Sequence, residues 1–148
     1  NWPIGSINDL TRGQDIIWKR PVLQVGARNL SLDQIEHEIL RPMGEPRIHF
    51  AVVCASISCP DLRREAFTAA RLNAQLEDQT RRFFANPTKG VRANSALPYF
   101  SATKLLEWFA ADFQAAGGPA AFVRRYRRDL PANLELRTDI EYNWNLNY

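Results

Sequence analysis

Apolar residues recur along this chain at helical spacing in several stretches and in short β-branched runs in others. Leu72, Leu76, Phe83 and Phe84 form one face of a helix over residues 69–86, ended by Pro87. Leu105, Leu106, Trp108, Phe109 and Phe113 form the face of a second, capped by Ser101 and stopped by Gly117 and Gly118. Residues 119–128 give a third, with Pro119 in the first turn. Residues 22–30 read as a hairpin turning at Gly26, followed at once by Ser31 and Gln34 as a capping box for a helix over 32–41 that Pro42 stops. Residues 47–54 are a β-branched apolar run expected as a buried strand, with a short buried helix as the alternative, and 54–60 are a small-residue loop. Residues 91–99 read as strand-like, and 134–136 and 140–146 as terminal strands. The lead-in up to residue 20 is punctuated by Pro3, Gly5 and Gly13, with Trp18 as a core anchor. The expected fold is α+β: one compact domain over 1–148, with about four helices packed on a small, mostly antiparallel sheet.

Composition narrows this further. A chain of 148 residues can bury one sizeable core without disulfides or metals. Its 45% hydrophobic and 24% charged residues exclude disorder, collagen-like repeats and a coiled coil. The net charge is only +3, and the one dense basic run, Arg124, Arg125, Arg127 and Arg128, reads as a solvated helix face, so nucleic acid is not an expected partner. No apolar run is long enough to span a bilayer. The start, Asn1-Trp2-Pro3, is neither an initiator Met nor a signal peptide, which leads us to expect that something upstream was removed or left out.

The residues with chemical potential gather between positions 33 and 59. Leu32, Ile35, Ile39 and Leu40 make the apolar face of the capped helix, and Glu36 falls in its middle. A carboxylate buried there must carry a raised pKa or pair with an Arg or His, as a structural ion pair or as a catalytic group. Asp33, His37 and Arg41 follow at i, i+4 and i+8 along one edge, as a solvated stripe or as part of a site. Cys54 and Cys59 can reach bridging distance, and a bridge would contribute about 2 kcal/mol by loop entropy, shaping the loop more than holding the fold. The alternatives are inert packing or a reactive thiol at Cys54 activated by His49 or His37. His49 and Cys54, five apart, fall on opposite faces of a strand, so a direct dyad needs a bulge or strand end, and His37 is an equally open partner. Two His and two Cys match a zinc ligand set in type but not in spacing. Phosphate loops, nucleophile elbows and H-E-x-x-H pairs are absent, and no cofactor is expected.

Residues 31–41, then Arg47-Ile48-His49-Phe50-Ala51 and Cys54-Ala55-Ser56-Ile57-Ser58-Cys59-Pro60, resemble the domain of unknown function family 547. Residues 76–84, 108–113 and the closing Tyr142-Asn143-Trp144-Asn145-Leu146-Asn147 are similar to the same family. The resemblance implies that this chain is the C-terminal major part of a domain whose upstream helices are missing. It also implies an extracytoplasmic setting, which favours the Cys54–Cys59 bridge. Asn143 stands where the family tends to have Asp. The motif supports treating Glu36, His37, Arg41, Arg47, His49, Cys54, Ser56 and Cys59 as one site, without saying what they do.

Two functions follow. In the first, a thiol-dependent hydrolase or transferase acts on an amide or thioester. Cys54 is the nucleophile, His49 or His37 the base, Glu36 the orienter, loop amides near Ser56 the oxyanion donors, and Arg41 and Arg47 hold a substrate carboxylate. In the second, a non-catalytic module with a Cys54–Cys59 bridge captures a small anionic or peptide ligand, such as glutathione, through its arginines and histidines. Trp2, Trp18 and Trp144 leave room for a protein partner.

Overall fold

The computed structural model describes residues 4–12 and 15–147, so Trp2, Pro3 and Gly13 lie outside the described residues. Within them the fold is α+β, built on three small sheets. Strands β1 (Thr11–Arg12) and β2 (Asp15–Ile16) pair antiparallel, as do β3 (Pro21–Val25) and β4 (Arg28–Ser31). The turn joining β3 and β4 is the expected one: Gly26 takes φ +60° at its first position, which a side chain would resist.

Ser31 caps α1 (Leu32–Gln34) with the reciprocal bonds of a capping box. Its Oγ accepts the Gln34 N–H at 3.1 Å, and Gln34 Oε1 accepts the Ser31 N–H at 3.1 Å. The helix then departs from expectation. It widens into a π turn over Ile35–Leu40, where the Arg41 N–H reaches back to the Glu36 carbonyl, and tightens into a 3₁₀ turn over Arg41–Met43. Pro42 therefore does not stop it. The wider winding relieves the clash that a proline ring makes with the carbonyl four residues back in a regular helix, and Gly44 at φ +70° ends the run instead.

The strand expected over residues 47–54 is not formed. Pro46 opens a 3₁₀ helix, Pro46–Phe50, and the Glu45 carboxylate accepts the Arg47 N–H at its start, after which the chain is irregular up to the cysteine loop. Proline at the first helical position and an acidic cap outweigh β-branched content that has no neighbouring strand to pair with. The long helix does form, as α2 (Leu72–Ala85), with Leu76, Phe83 and Phe84 buried and Leu72 exposed.

Residues 91–99 split into two strands. β5 (Val91–Ala93) pairs antiparallel with β6 (Tyr99–Thr103), and β6 pairs parallel with β7 (Glu135–Ile140). Ser101 sits inside β6, so it caps nothing; Thr103 Oγ1 accepts the Leu105 N–H and opens α3 (Leu105–Trp108). A 3₁₀ helix, Ala110–Ala116, follows and ends at Gly117 in the left-handed region, after which Pro119 starts α4 (Pro119–Tyr126). Of the two terminal strands expected, one forms as β7, and the segment beyond it makes only isolated bridges, Ser6 with Asn145 and Ser56 with Leu146.

The core is a phenylalanine cluster. Phe50, Phe84, Phe100 and Phe113 are fully buried, Phe83 and Phe122 nearly so, and Phe50 meets Phe83, Phe84, Phe113 and Phe122. Each such ring contributes roughly 1.5–3 kcal/mol by leaving water. The basic run of α4 is a solvated face only in part: Arg125 and Arg128 are exposed, while Arg124 and Arg127 are half-buried. Arg124 donates to the Ala132 and Leu134 carbonyls, and Arg127 to those of Phe84 and Val91, so these side chains tie α4 to β7 and to the end of α2. Among the described residues no helix is long and apolar enough to cross a membrane.

Candidate functional site

The site grows out of the core. Phe50 is drawn into the phenylalanine cluster, which fixes the backbone of the 3₁₀ helix before it and turns His49 to the cluster's edge. There the His49 ring stacks on Phe109 with centroids 3.9 Å apart, its side chain 1% exposed. In the same way Phe113 anchors the 3₁₀ helix Ala110–Ala116 and holds Asp112 beside it.

Asp112 Oδ2 lies 2.8 Å from His49 Nε2 and 2.7 Å from Arg41 Nε, while Oδ1 accepts Arg41 Nη2 at 2.9 Å. This two-pronged grip by Arg41 is the main reason the Asp112 carboxyl is held down at about 2. Burial pushes His49 the other way, below its ordinary value, and the bond to Asp112 only partly offsets this. His49 is therefore neutral at pH 7, its Nε2–H donating to the ionised Asp112. Arg41 also lies over the Phe109 ring, 5.1 Å from its centroid, and donates Nη1 to His37 Nδ1 at 3.0 Å. A guanidinium can only donate, so His37 Nδ1 is the acceptor of this bond, and its Nε2 lies 3.8 Å from Asp33. The Asp33, His37 and Arg41 edge read from spacing thus survives the widened helix.

Glu36 is different. It is half-buried, with its pKa raised chiefly by loss of water and only partly restrained by His37 and Arg41. Among the described residues its carboxylate has no hydrogen bond or ion pair.

Cys54 and Cys59 are joined in a disulfide. The loop between them is braced from several sides. The Ile57 N–H donates to the Asn145 carbonyl, Ser58 N–H to that of Asn143, and Asn147 N–H to that of Ala55. Buried Lys89 donates to the Cys59 carbonyl at 2.9 Å and to Asp61 at 2.6 Å. Ser56, fully buried, lies 3.3 Å from the Tyr142 hydroxyl, which lies 3.5 Å from Cys59 Sγ and 3.6 Å from Cys54 Sγ. The Cys54 N–H also points at Cys59 Sγ, at 2.9 Å. Neither sulfur has an imidazole partner among the described residues.

These pieces meet around a pocket of about 400 Å³. Glu36, His37, His49, Cys54 and Cys59 all line it, together with an aromatic wall of Trp18, Trp108, Phe109, Tyr142 and Trp144. In that wall the Tyr142 and Trp144 rings are 4.4 Å apart, and those of Trp108 and Tyr142 4.9 Å. Of the other expected site residues, Ser56 lies beneath the disulfide and Arg41 stands behind His37, bound to Asp112. Arg47 is outside the group, paired with Glu45 at 2.6 Å and Glu77 at 3.6 Å. Trp18, expected as a core anchor, is a half-buried piece of the pocket wall. The described residues hold no group of three or more His, Cys, Asp or Glu placed to bind a metal ion.

Sequence reasoning missed Asp112, Tyr142, Trp108 and Lys89. The signal for the first three was present: an acid inside the aromatic stretch 108–113, and an aromatic pair in the closing segment. Lys89, a lone lysine in a loop, announced nothing. Asn143 uses its side-chain oxygen to accept the Asn145 N–H at 3.0 Å.

The profile of the family described as "Protein of unknown function, DUF547" matches residues 7–84. Its matched span ends before Asp112 and before the pocket residues Leu105, Trp108, Phe109, Tyr142 and Trp144, so most of the pocket's aromatic wall lies outside it. No curated protein and no solved structure gives a significant match.

Proposed function

The chain belongs to the DUF547 family, a description that assigns no activity, and from its pocket we propose that it works as an extracytoplasmic module binding a small molecule. The observation that supports this reading is the convergence of five of the eight expected site residues on one pocket with aromatic walls. Its volume of about 400 Å³ falls in the range usual for small ligands, roughly 300–1,000 Å³. The Cys54–Cys59 bridge serves to hold one wall in shape, and it fits an oxidising compartment. A direct test is saturation-transfer NMR with 2-phenylethanol, a neutral aromatic probe, on the native chain and on Val53→Trp, which adds a bulky ring to the pocket's lining. We expect transfer to the probe that Val53→Trp abolishes while its melting temperature holds. No transfer, or transfer that Val53→Trp leaves intact, refutes the reading.

One observation favours a second reading, a thiol-dependent hydrolase or transferase using Cys54. The Ser56 hydroxyl, the Tyr142 hydroxyl and the Cys54 N–H all face the two sulfurs, and after reduction the same groups would stabilise a thiolate. On this reading, mildly reduced protein takes up iodoacetamide at Cys54 with a midpoint below that of a free thiol, and Tyr142→Phe raises that midpoint. Uptake that follows an ordinary thiol's pH dependence excludes it.

A further inference from the structure

The charges around the pocket are one-sided. The chain as a whole carries net +3. Yet the charged side chains lining the pocket are Asp33 and Glu36, and no lysine or arginine lines it among the described residues. The two arginines that sequence reasoning reserved for an anion are engaged elsewhere. Arg41 is gripped by both oxygens of Asp112, and Arg47 by both oxygens of Glu45. An anionic group entering the pocket would meet no unengaged cation and would face two carboxylates.

A cation meets the opposite situation. Asp33 faces His37, but Glu36 makes no hydrogen bond or ion pair among the described residues, feels His37 and Arg41 only at longer range, and is held half-buried on the pocket's surface. An unpaired, partly desolvated carboxylate costs free energy that a positive group beside it recovers. The same pocket is lined by the mutually packed rings of Trp108, Tyr142 and Trp144, and aromatic ring faces carry the negative quadrupole that attracts ammonium and guanidinium groups. A carboxylate and tryptophan faces around one cavity form the recognition chemistry of an organic cation. The remaining wall, Ile35, Leu40, Val52 and Val53, suits an apolar body attached to it.

We infer that this pocket selects an organic ammonium ion with an apolar or aromatic body, its charge held by Glu36 against the tryptophan and tyrosine faces. This rests on the binding-module reading above and names its ligand class, reversing the sign of charge expected from the arginines.

The test compares three probes of matched size: 2-phenylethylammonium, 2-phenylethanol and phenylacetate, titrated by NMR against the native chain, Val53→Trp and Glu36→Gln. The expected result is that the ammonium binds about tenfold or more tighter than the alcohol, with phenylacetate weakest. Glu36→Gln should bring the ammonium-to-alcohol affinity ratio down to about one. Since Gln keeps the shape of Glu and removes a half-buried charge, this variant should melt no lower than the native chain at pH 7. Equal affinities for ammonium and alcohol, both lost in Val53→Trp, overturn the cation inference and leave the binding-module reading standing. Phenylacetate binding tightest also overturns it. Failure of all three probes to bind removes both readings together.

Discussion

Replacing Asp112 by Asn removes one charge and keeps the shape. The native carboxyl is depressed from 3.8 to about 2, mainly by the Arg41 guanidinium, with His49 adding to it. At 1.36 kcal/mol for each unit, that depression corresponds to at most about 2.4 kcal/mol of stability at neutral pH. The carboxylate is 22% exposed and Arg41 29%, so solvent screens the pair, and about half of that figure, ~1.2 kcal/mol, is the better expectation. For a chain of this size that is a fall in melting temperature of about 3–5 °C. The sign is set by linkage. A depressed acid stabilises the fold above its unfolded value of 3.8, and this contribution is lost as the pH falls through about 2. Thermal melts of native protein and Asp112→Asn between pH 7 and pH 2 should therefore show a gap that shrinks as the pH falls from about 4 toward 2. Carbon NMR of the Asp112 carboxyl gives an independent midpoint. A variant melting within 1 °C of native at pH 7, or a deficit that persists unchanged at the acid end, refutes this account of the Arg41–Asp112–His49 unit.

Three further outcomes can be checked. His49 is held below its ordinary value of 6.5 by burial, so the unfolded chain takes up a proton first and stability falls as the pH drops below 6.5; His49→Gln should flatten the change in melting temperature between pH 7.5 and pH 5.5. Gly90 has no room for a Cβ, which would lie 1.9 Å from the Phe83 carbonyl oxygen, so Gly90→Ala should cost about 3 kcal/mol in a urea titration, and a near-native midpoint would contradict this close approach of the loop to α2. Replacing both Cys54 and Cys59 by Ser should cost about 2 kcal/mol by loop entropy, seen as a lower melting temperature in oxidising buffer that converges with native protein under reductant.

Elements specified by neighbouring residues are legible in the sequence. The Gly26 turn, the Ser31–Gln34 capping box, the face of α2 and the start of α4 at Pro119 depend on backbone preferences and on bonds spanning a few residues, and these act alike in a peptide and in a fold. The same locality made the Cys54–Cys59 loop and the Asp33–His37–Arg41 edge readable. Where two local signals competed, the reading failed. Residues 47–54 carried strand content that lost to Pro46 and the Glu45 cap, and Ser101 looked like a cap because its place in β6 depends on pairing with β7, some 35 residues away.

The site itself lay beyond local reading. Glu36, His37 and Cys54 could be picked out one by one, but what they face is decided by Asp112 from one segment and by Tyr142 and Trp144 from another. Arg41 illustrates the difference best. By residue type it is an anion binder, as is Arg47. Arg47 is taken up by Glu45 two residues away, but only the packing of the phenylalanine cluster brings Asp112 to Arg41, and among the described residues Glu36 is left in the pocket without a hydrogen bond or ion pair. From the sequence alone came the fold class, most of the helices and the residues capable of chemistry, because those depend on short-range preference. Tertiary structure alone decided which charges are spent and which remain, because pairing across 60 or 70 residues depends on how the whole core closes.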